Sequence, residues 1–360
     1  MPRNRIIYQN EGVFVGPSFE TGKSYSTPIS TNLDRVQSVG YDFSYDRQSI
    51  SVLGKGGSVD RPIISSPSVT IKVDYLLSSL HNESALGFYI IPEGANSNVS
   101  PIKNFADESN RSNDRKNFYL VSMPEGKDLI SGKASLIESV LSFHDCQFQS
   151  YNANFAVGEL PSVSVSFQGI DANYFKSGVN LSIPILDKKT SLLSSGVNVT
   201  GIPVAKNIAS QTLIPGNVSL SISEAGSEKF INVTNNKIQH FDLSFSANRR
   251  QIDLVGYRIA YDKILNYPIA GEASVSLIED GGQTGSFANF IKQDEEYDIS
   301  LGIKNKAGQT IINYIFLKAK METISSNSSI GSHKTTEFNF SYELDPDSSS
   351  RGLFISGKAQ

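Results

Sequence analysis

Few residues of this 360-residue chain have types and spacings that could support catalysis. Its four histidines are at positions 81, 144, 240 and 333, and no two are spaced as His-x-x-x-His. The single cysteine lies in His144-Asp145-Cys146, which could supply a nucleophile or a metal ligand. At strand spacing, however, His144 and Cys146 share one face and Asp145 points away, which favours a buried, unreactive cysteine.

Two further segments match known binding loops only in part. Gly54-Lys55-Gly56-Gly57-Ser58 is rich in glycine but lacks the Gly-Lys-Ser/Thr ending and the following helix of a phosphate loop, so we expect a turn. Glu343, Asp345 and Asp347 alternate as in some calcium loops, without the required glycine and bidentate glutamate. We therefore expect no enzymatic activity, no catalytic residues, no cofactor and no metal.

Composition narrows the function classes further. Hydrophobic residues make up 39% of the chain, enough for packed cores, and the length suits two domains. The net charge of −4 argues against sequence-specific nucleic-acid binding, because such binding needs clustered Lys and Arg. The sequence contains no long apolar run, so we expect no transmembrane helix and no membrane partner.

An internal repeat is the strongest organising feature of the sequence. Residues 36–54 align without gaps on residues 238–256, 202 positions further on. Six residues of the first segment recur identically: Gln37, Phe43, Ser44, Arg47, Ile50 and Gly54. Residues 143–158 align on 316–331 at an offset of 173, so the first copy carries about 30 extra residues. We place them at 92–117, a polar stretch whose composition favours a disordered loop over a surface decoration or a partner site.

The repeat predicts two tandem domains, at residues 1–180 and 213–360, joined by a linker at 181–212 that contains Pro, Gly and Ser. In both copies, aromatic and β-branched residues alternate with polar ones, which indicates half-buried strands. Each domain is expected to be all-β with one short helix, at Ile102–Glu108 in the first and at Ser286–Glu295 in the second.

The order of elements in each copy resembles that of bacteriophage major tail tube proteins of the siphophage type with a tandemly duplicated tube domain. A strand ends in an arginine, an apolar alternation ends in a glycine, and a long loop leads through a proline to a second strand. These landmarks are Arg47, Gly54 and Pro67 in the first copy, and Arg249, Gly256 and Pro268 in the second.

The resemblance implies two tandem β-sandwich domains whose inner strands complete a barrel when subunits close into a ring. Three such subunits would form a pseudohexameric ring, and stacked rings would form the tail tube through which DNA is ejected. The implied partners are other copies of this chain in stacked homotrimeric rings, the tape-measure protein and transiting DNA in the lumen, and other tail proteins. The implied location is the tail of the virion, after assembly in the host cytoplasm.

The resemblance also suggests roles for particular residues. The loops at 54–67 and 256–268 occupy the place of the loop that contacts the adjacent ring, although the two share almost no residues. The resulting inter-ring candidates are Lys55, Ser58, Asp60, Arg61, Tyr257, Arg258, Tyr261 and Lys263. Arg47 and Arg249 could face DNA or could anchor their strand ends by pairing with a carboxylate, and we prefer the second interpretation.

Two other functions stay open from the sequence. Another tail component, such as a terminator, neck or baseplate protein, would have a related fold. A two-domain β-sandwich carbohydrate-binding module would be expected to expose aromatic residues, usually Trp, and the chain contains no Trp. Rings or hollow tubes in electron micrographs would favour the tube protein over the binding module.

Overall fold

The computed structural model describes residues 11–18, 31–64, 68–95, 98–106, 114–125, 138–176, 182–186, 193–198, 213, 218–225, 230–231, 238–255, 262–278, 295–305, 308–328 and 334–357. The fold is all-β, as expected, with two short helices in this part of the chain, α1 (His81–Leu86) and α2 (Lys103–Ala106). The strands before residue 213 are β1 (Glu11–Pro17), β2 (Thr31–Asn32), β3 (Val36–Ser44), β4 (Ile50–Ser51), β5 (Ser58–Asp60), β6 (Ser68–Leu76), β7 (Arg115–Ser122), β8 (Ser139–Ala156), β9 (Ser162–Gly169), β10 (Asp171–Lys176), β11 (Ser182–Leu186) and β12 (Leu193–Asn198). Those after it are β13 (Val218–Glu224), β14 (Phe230–Ile231), β15 (Ile238–Ser246), β16 (Arg249–Ile252), β17 (Asp262–Leu265), β18 (Ile269–Ile278), β19 (Glu296–Lys304), β20 (Thr310–Asn327), β21 (Thr335–Leu344) and β22 (Gly352–Gly357).

Each copy of the repeat contains two antiparallel layers that share one long strand. In the first copy the inner layer is formed by β3, β6, β9 and the C-terminal half of β8. The outer layer contains β2, β1, β7, the N-terminal half of β8 and β10. In the second copy β15, β18, β21 and β20 form the inner layer, and β14, β13, β19, β20 and β22 form the outer one.

The long strands β8 and β20 change layers at a bulge. Asp145 in β8 and Lys318 in β20 have left-handed backbones, with φ of 52° and 56°. The pairing register of each long strand shifts beside this residue, between Lys116 and Phe118 for β8 and between Tyr297 and Ile299 for β20. A bulge of this kind bends a strand so that it can pass from one sheet to the other.

The two copies are equivalent down to individual strand pairs, which is what a duplicated domain predicts. The register shift between Val36 and Ser38 in β3 recurs in β15 at an offset of 202. The offset is 181 for β7 and β19, and 173 for β8 and β20 on both sides of the bulge. The extra residues of the first copy are thus divided between the β6–β7 and β7–β8 connections, and our placement of all of them at 92–117 was wrong.

The described part of the extra segment is packed against the core. Ile102 and Phe105 have exposed fractions of 0% and 3%, and the Phe105 ring stacks on Phe148 with centroids 5.2 Å apart. The composition-based expectation of a disordered loop is therefore wrong for this part. Helix α2 lies within the helix predicted at 102–108, and α1 was not predicted. The helix predicted for the second copy lies, up to residue 294, outside the described residues.

The inner and outer layers enclose one hydrophobic core that runs through both copies. Along β9 and β21, every second side chain is buried, from Val163 to Phe167 and from Phe338 to Tyr342. Both segments show the alternation that indicates half-buried strands. In the predicted linker, β11 and β12 pair with each other as a separate two-stranded sheet.

Candidate functional site

The two copies are joined edge to edge by a pair of strands within one chain. Strand β15 of the second copy pairs antiparallel with the C-terminal half of β8 of the first, from His240 opposite Ala156 to Ser246 opposite Ser150. The inner layers therefore form one continuous sheet in the order β3-β6-β9-β8-β15-β18-β21-β20. This junction shows how one copy of the domain binds the next.

Aromatic side chains fill the core side of the junction. Phe245 is 3% exposed and stacks on Tyr151, with ring centroids 5.2 Å apart. It also lies 5.5 Å from the ring of Phe148. Further along the strands, Phe241 and Phe155 have centroids 6.0 Å apart. Burying apolar surface stabilises a contact by roughly 25 cal/mol per Å², so the burial of these rings makes the junction a strong contact.

A buried ion pair anchors the second copy to the first at the end of the junction. The guanidinium of Arg249 binds the carboxylate of Asp114, with a shortest distance of 2.5 Å. The side chains are only 5% and 14% exposed. Arg249 Nε also donates to the backbone oxygen of Phe148, at 3.3 Å. In the described structure Arg249 thus holds the base of the β16–β17 hairpin against the first copy.

A second cation links the same hairpin to the bulge in β8. Arg115 donates to Asp145 at 3.0 Å and also binds Asp262 of the hairpin. Lys263, the next hairpin residue, is 7% exposed. Burial lowers the pKa of Lys263 to about 8, although the nearby Cys146 and Asp145 oppose that effect. Six charged groups from the two copies, Asp114, Arg115, Asp145, Arg249, Asp262 and Lys263, therefore form one compensated cluster, which we call the in-chain charge cluster.

A buried carboxyl group lies where the two copies meet on the core side. Tyr75 donates to Oε1 of Glu83 at 2.8 Å, and Tyr151 does so at 3.4 Å. The hydroxyl of Tyr151 is in turn 3.0 Å from that of Tyr314 in the second copy. Burial raises the pKa of Glu83 to about 7, and its two tyrosine hydrogen bonds only partly offset this rise.

The strands equivalent to β15 and β8 at the other ends of the chain are β3 and β20. Among the described residues, β3 pairs only with β6, and residues 321–327 of β20 pair only with β21. Tyr41 and Phe43 of β3 are 46% and 41% exposed, whereas their counterparts Leu243 and Phe245 are almost completely buried. The inner sheet thus ends in two exposed edges whose counterparts bind each other in the middle of the chain.

The predicted loop residues lie on two equivalent hairpins. In the first, Lys55, Ser58, Asp60 and Arg61 are exposed on or beside the β4–β5 hairpin, and Gly54 has φ of 88° in its turn. In the second, Lys263 lies in β17 and is buried against the first copy, while Tyr257, Arg258 and Tyr261 lie outside the described residues. Arg47 donates to the backbone oxygen of Arg61 at 3.2 Å, as Arg249 does to that of Lys263 at 3.4 Å.

The bulge in β8 separates the side chains of the candidate group His144-Asp145-Cys146. Cys146 belongs to the hydrophobic core, and His144 bonds with the Ser142 hydroxyl at 3.1 Å. Strict alternation predicted that His144 and Cys146 share a face, and the left-handed Asp145 breaks that alternation. Burial lowers the pKa of His144 to about 4 and raises that of the Cys146 thiol.

Within the described residues, no group of three or more His, Cys, Asp or Glu side chains is arranged to hold a metal ion. The alternating acids near the C-terminus form a local turn, in which the backbone N–H of Asp347 donates to the Asp345 carboxylate at 3.0 Å. The part of the chain that the structure describes contains no helix that is long and apolar enough to span a membrane.

No family model matches the chain, and no curated protein matches it. Among solved structures, a chain of the anti-feeding prophage baseplate, from a 6-fold symmetrised map, has 7% identity and a TM-score of 0.27, covering 39% of this chain and 93% of its own length. The tube-terminating cap of the anti-feeding prophage has 14% identity and a TM-score of 0.30, covering 44% and 100%. A chain of the sheath-tube complex of an extracellular contractile injection system has 15% identity and a TM-score of 0.28, covering 39% and 89%. All three are components of phage-tail-like assemblies, but TM-scores of this size do not establish a shared fold.

Proposed function

We propose that this chain is a structural subunit of a phage-tail-like tube, which assembles side by side with copies of itself into a closed ring. The observation that supports the proposal is the in-chain junction between β8 and β15. Because β3 and β20 are the counterparts of those strands, the exposed edge of β3 in one subunit fits the exposed edge of β20 in the next.

The duplication specifies the register of this contact. In the chain, Ser244 lies opposite Asn152 and Phe245 opposite Tyr151. Applying the offsets of 202 and 173 puts Asp42 opposite Ser325 of the neighbour, and Phe43 opposite Ile324. Phe43 would then be buried as Phe245 is, which accounts for an exposed aromatic strand without invoking a carbohydrate platform.

Three chains joined in this way would close a barrel of roughly 24 strands, and barrels of 16–18 strands already enclose an aqueous channel. The inner sheet's face opposite the core carries polar side chains, including Asn152, Ser164 and Ser274, which suit a water-filled lumen. We propose that this lumen conducts DNA during ejection and contains the tape-measure protein during assembly, within a virion tail.

We further propose that the hairpin tips contact the adjacent ring. Leu53 and Val255 occupy equivalent positions at the two tips, and both are fully exposed, at 103% and 105%. In the first hairpin Leu53 is accompanied by the exposed apolar residues Ile50, Val52 and Val59, and a group of exposed apolar residues fits a contact surface. The different sequences around them would then fix the stacking register of the rings.

Negative-stain electron microscopy of the full chain, over a concentration series with size-exclusion chromatography, tests the ring. We expect rings or tubes with threefold or pseudo-sixfold symmetry, and Phe43→Asp should abolish them by placing a charge in the contact. Tyr174→Asp is the matched control, because Tyr174 is 64% exposed on β10 of the outer layer. Monomeric protein at every concentration, or normal rings from Phe43→Asp, would contradict the proposal.

A further inference from the structure

The in-chain charge cluster has a counterpart on the surfaces that the proposed function brings together. Its residues Arg249, Asp262 and Lys263 correspond, at an offset of 202, to Arg47, Asp60 and Arg61 of the first hairpin. The two hairpins have the same internal bonds: in each, the Asp side chain accepts from the backbone N–H of the following residue, at 2.7 Å for Asp60 and 2.8 Å for Asp262. The hairpins therefore present the same order of charges, positive, negative, positive.

The surface that receives the second hairpin also has a counterpart. Asp114 and Arg115 correspond to Glu295 and Glu296 at an offset of 181, and Asp145 corresponds to Lys318 at 173. The bulges match in detail, because Asp145 N–H donates to Asn117 at 3.0 Å and Lys318 N–H donates to the equivalent Asp298 at 2.9 Å. This surface can thus receive a hairpin in the same position.

The two receiving surfaces share a carboxylate at one position only. In the first copy Asp114, Arg115 and Asp145 are two carboxylates and one cation, and in the second Glu295, Glu296 and Lys318 have the signs at the last two positions exchanged. Glu296 is also paired with Arg351, at 3.5 Å. The shared carboxylate is that of Asp114 and Glu295, and the hairpin residue equivalent to its in-chain partner Arg249 is again an arginine, Arg47.

We infer that Arg47 of one subunit forms an ion pair with Glu295 of the next subunit, as Arg249 does with Asp114 within the chain. This inference rests on the proposed function and names the polar contact that fixes its ring interface. The in-chain contact of Arg115 with Asp262 has two acidic counterparts, Glu296 and Asp60, so the equivalence carries only the Arg47–Glu295 pair. The side chains of Arg47, Asp60 and Arg61 are exposed in the single chain, which leaves them accessible to a second copy.

Charge reversal in the full chain tests the pair. We expect Arg47→Glu to raise the protein concentration needed for ring formation at least about tenfold, since opposing like charges at an interface cost several kcal/mol. Glu295→Arg should have a similar effect, and the double variant Arg47→Glu/Glu295→Arg should restore assembly to near the wild-type level. Arg250→Glu is the matched control, because Arg250 is exposed on the second hairpin and its counterpart on the first hairpin, Gln48, is uncharged.

The outcomes separate this inference from the proposed function. If the wild-type chain forms no rings, the proposed function and the ion pair both fail. If the wild type forms rings and Arg47→Glu forms them equally well, only the ion pair is wrong. Failure of the double variant to recover, while its circular dichroism and melting temperature match those of the wild type, also overturns the pair.

Discussion

Replacing Glu83 by Gln tests the buried junction between the two copies. Glu83 is completely buried, and Oε1 accepts from Tyr75 and Tyr151, whereas Oε2 has no hydrogen-bond partner in the described structure. Glutamine keeps the shape and the acceptor oxygen, removes the ionisation, and places an uncharged NH2 group at the position of Oε2. The pH dependence of the substitution's effect therefore isolates the free energy of placing a negative charge at this point.

The expected magnitude follows from the raised pKa of Glu83. Folding raises this pKa from 4.5 to about 7, and each tenfold change in proton affinity corresponds to ~1.36 kcal/mol, so the effect at its full extent is roughly 3 kcal/mol. Between these two pH values the folded state binds more protons than the unfolded state. The contribution of Glu83 to stability is therefore fully present below pH 4.5 and is lost as the pH rises through 7.

Urea unfolding at pH 5 and pH 8, at a concentration below the assembly threshold, measures this effect. Relative to the wild type, we expect Glu83→Gln to gain about 2–3 kcal/mol in free energy of unfolding between the two pH values. Glu343→Gln is the control, because Glu343 is exposed on β21, and it should show no such gain. A difference between Glu83→Gln and the wild type that does not change with pH would refute the reasoning.

Three further predictions follow from the described structure. Arg249→Ala should lower the free energy of unfolding by about 3 kcal/mol, because it leaves Asp114 buried without its cation. In the same urea titrations the control Arg250→Ala should change the free energy of unfolding by less than about 0.5 kcal/mol. Equal effects of the two substitutions would contradict the ion pair of Arg249 with Asp114. Cys146 is completely buried and its thiol pKa is raised, so a thiol reagent should label it only after denaturant is added; rapid labelling of the native chain would contradict this placement. The single chain should bind duplex DNA weakly, with an affinity that falls steeply with salt; tight binding in a fluorescence anisotropy titration at physiological salt would count against the tube.

The fold could be predicted from the sequence where alternation and repetition carry the information. The aligned segments 36–54 and 238–256 contain strands β3 and β15, whose bounds differ by the same 202 positions. The turn expected at Gly54 is also confirmed by its positive φ. Buried strands can be recognised in a sequence because every second side chain must be apolar. A duplicated domain preserves that period even where the residues change.

The assembly surface could not be predicted in the same way, because its partners are distant in sequence. Asp114, which binds Arg249, and Glu295, the proposed partner of Arg47, differ in residue type and align only when the offset of 181 is known from β7 and β19. The left-handed residues Asp145 and Lys318 differ in type and neither is a glycine, so they do not mark in the sequence the point where the long strands change layers. The only sequence signal for the extra residues of the first copy was the change of offset, from 202 to 173, between the two aligned blocks.

The domain boundaries at 180 and 213, the inter-ring residues and the anchoring role of Arg47 stay predictions. The ion pair of Arg249 with Asp114 has the form of that anchor in the second copy. Because one sheet runs through both copies, we expect neither copy to fold as well alone as it does in the full chain.

Disulfide cross-linking of the full chain tests the central claim most directly, since it reports both the contact and its register. Ser244 and Asn152 are opposite each other at the in-chain junction, and their counterparts are Asp42 and Ser325. Paired strands bring such residues to about 4.5–5.5 Å between Cα atoms, close enough for a disulfide.

We predict that mild oxidation of the Asp42→Cys/Ser325→Cys variant links subunits into covalent dimers and closed trimers. The control variant Asp42→Cys/Ser326→Cys, shifted by one residue, should link poorly because position 326 faces the other side of the sheet. Absence of cross-links in the first variant, or equal cross-linking of both, would contradict side-by-side assembly through these two strands.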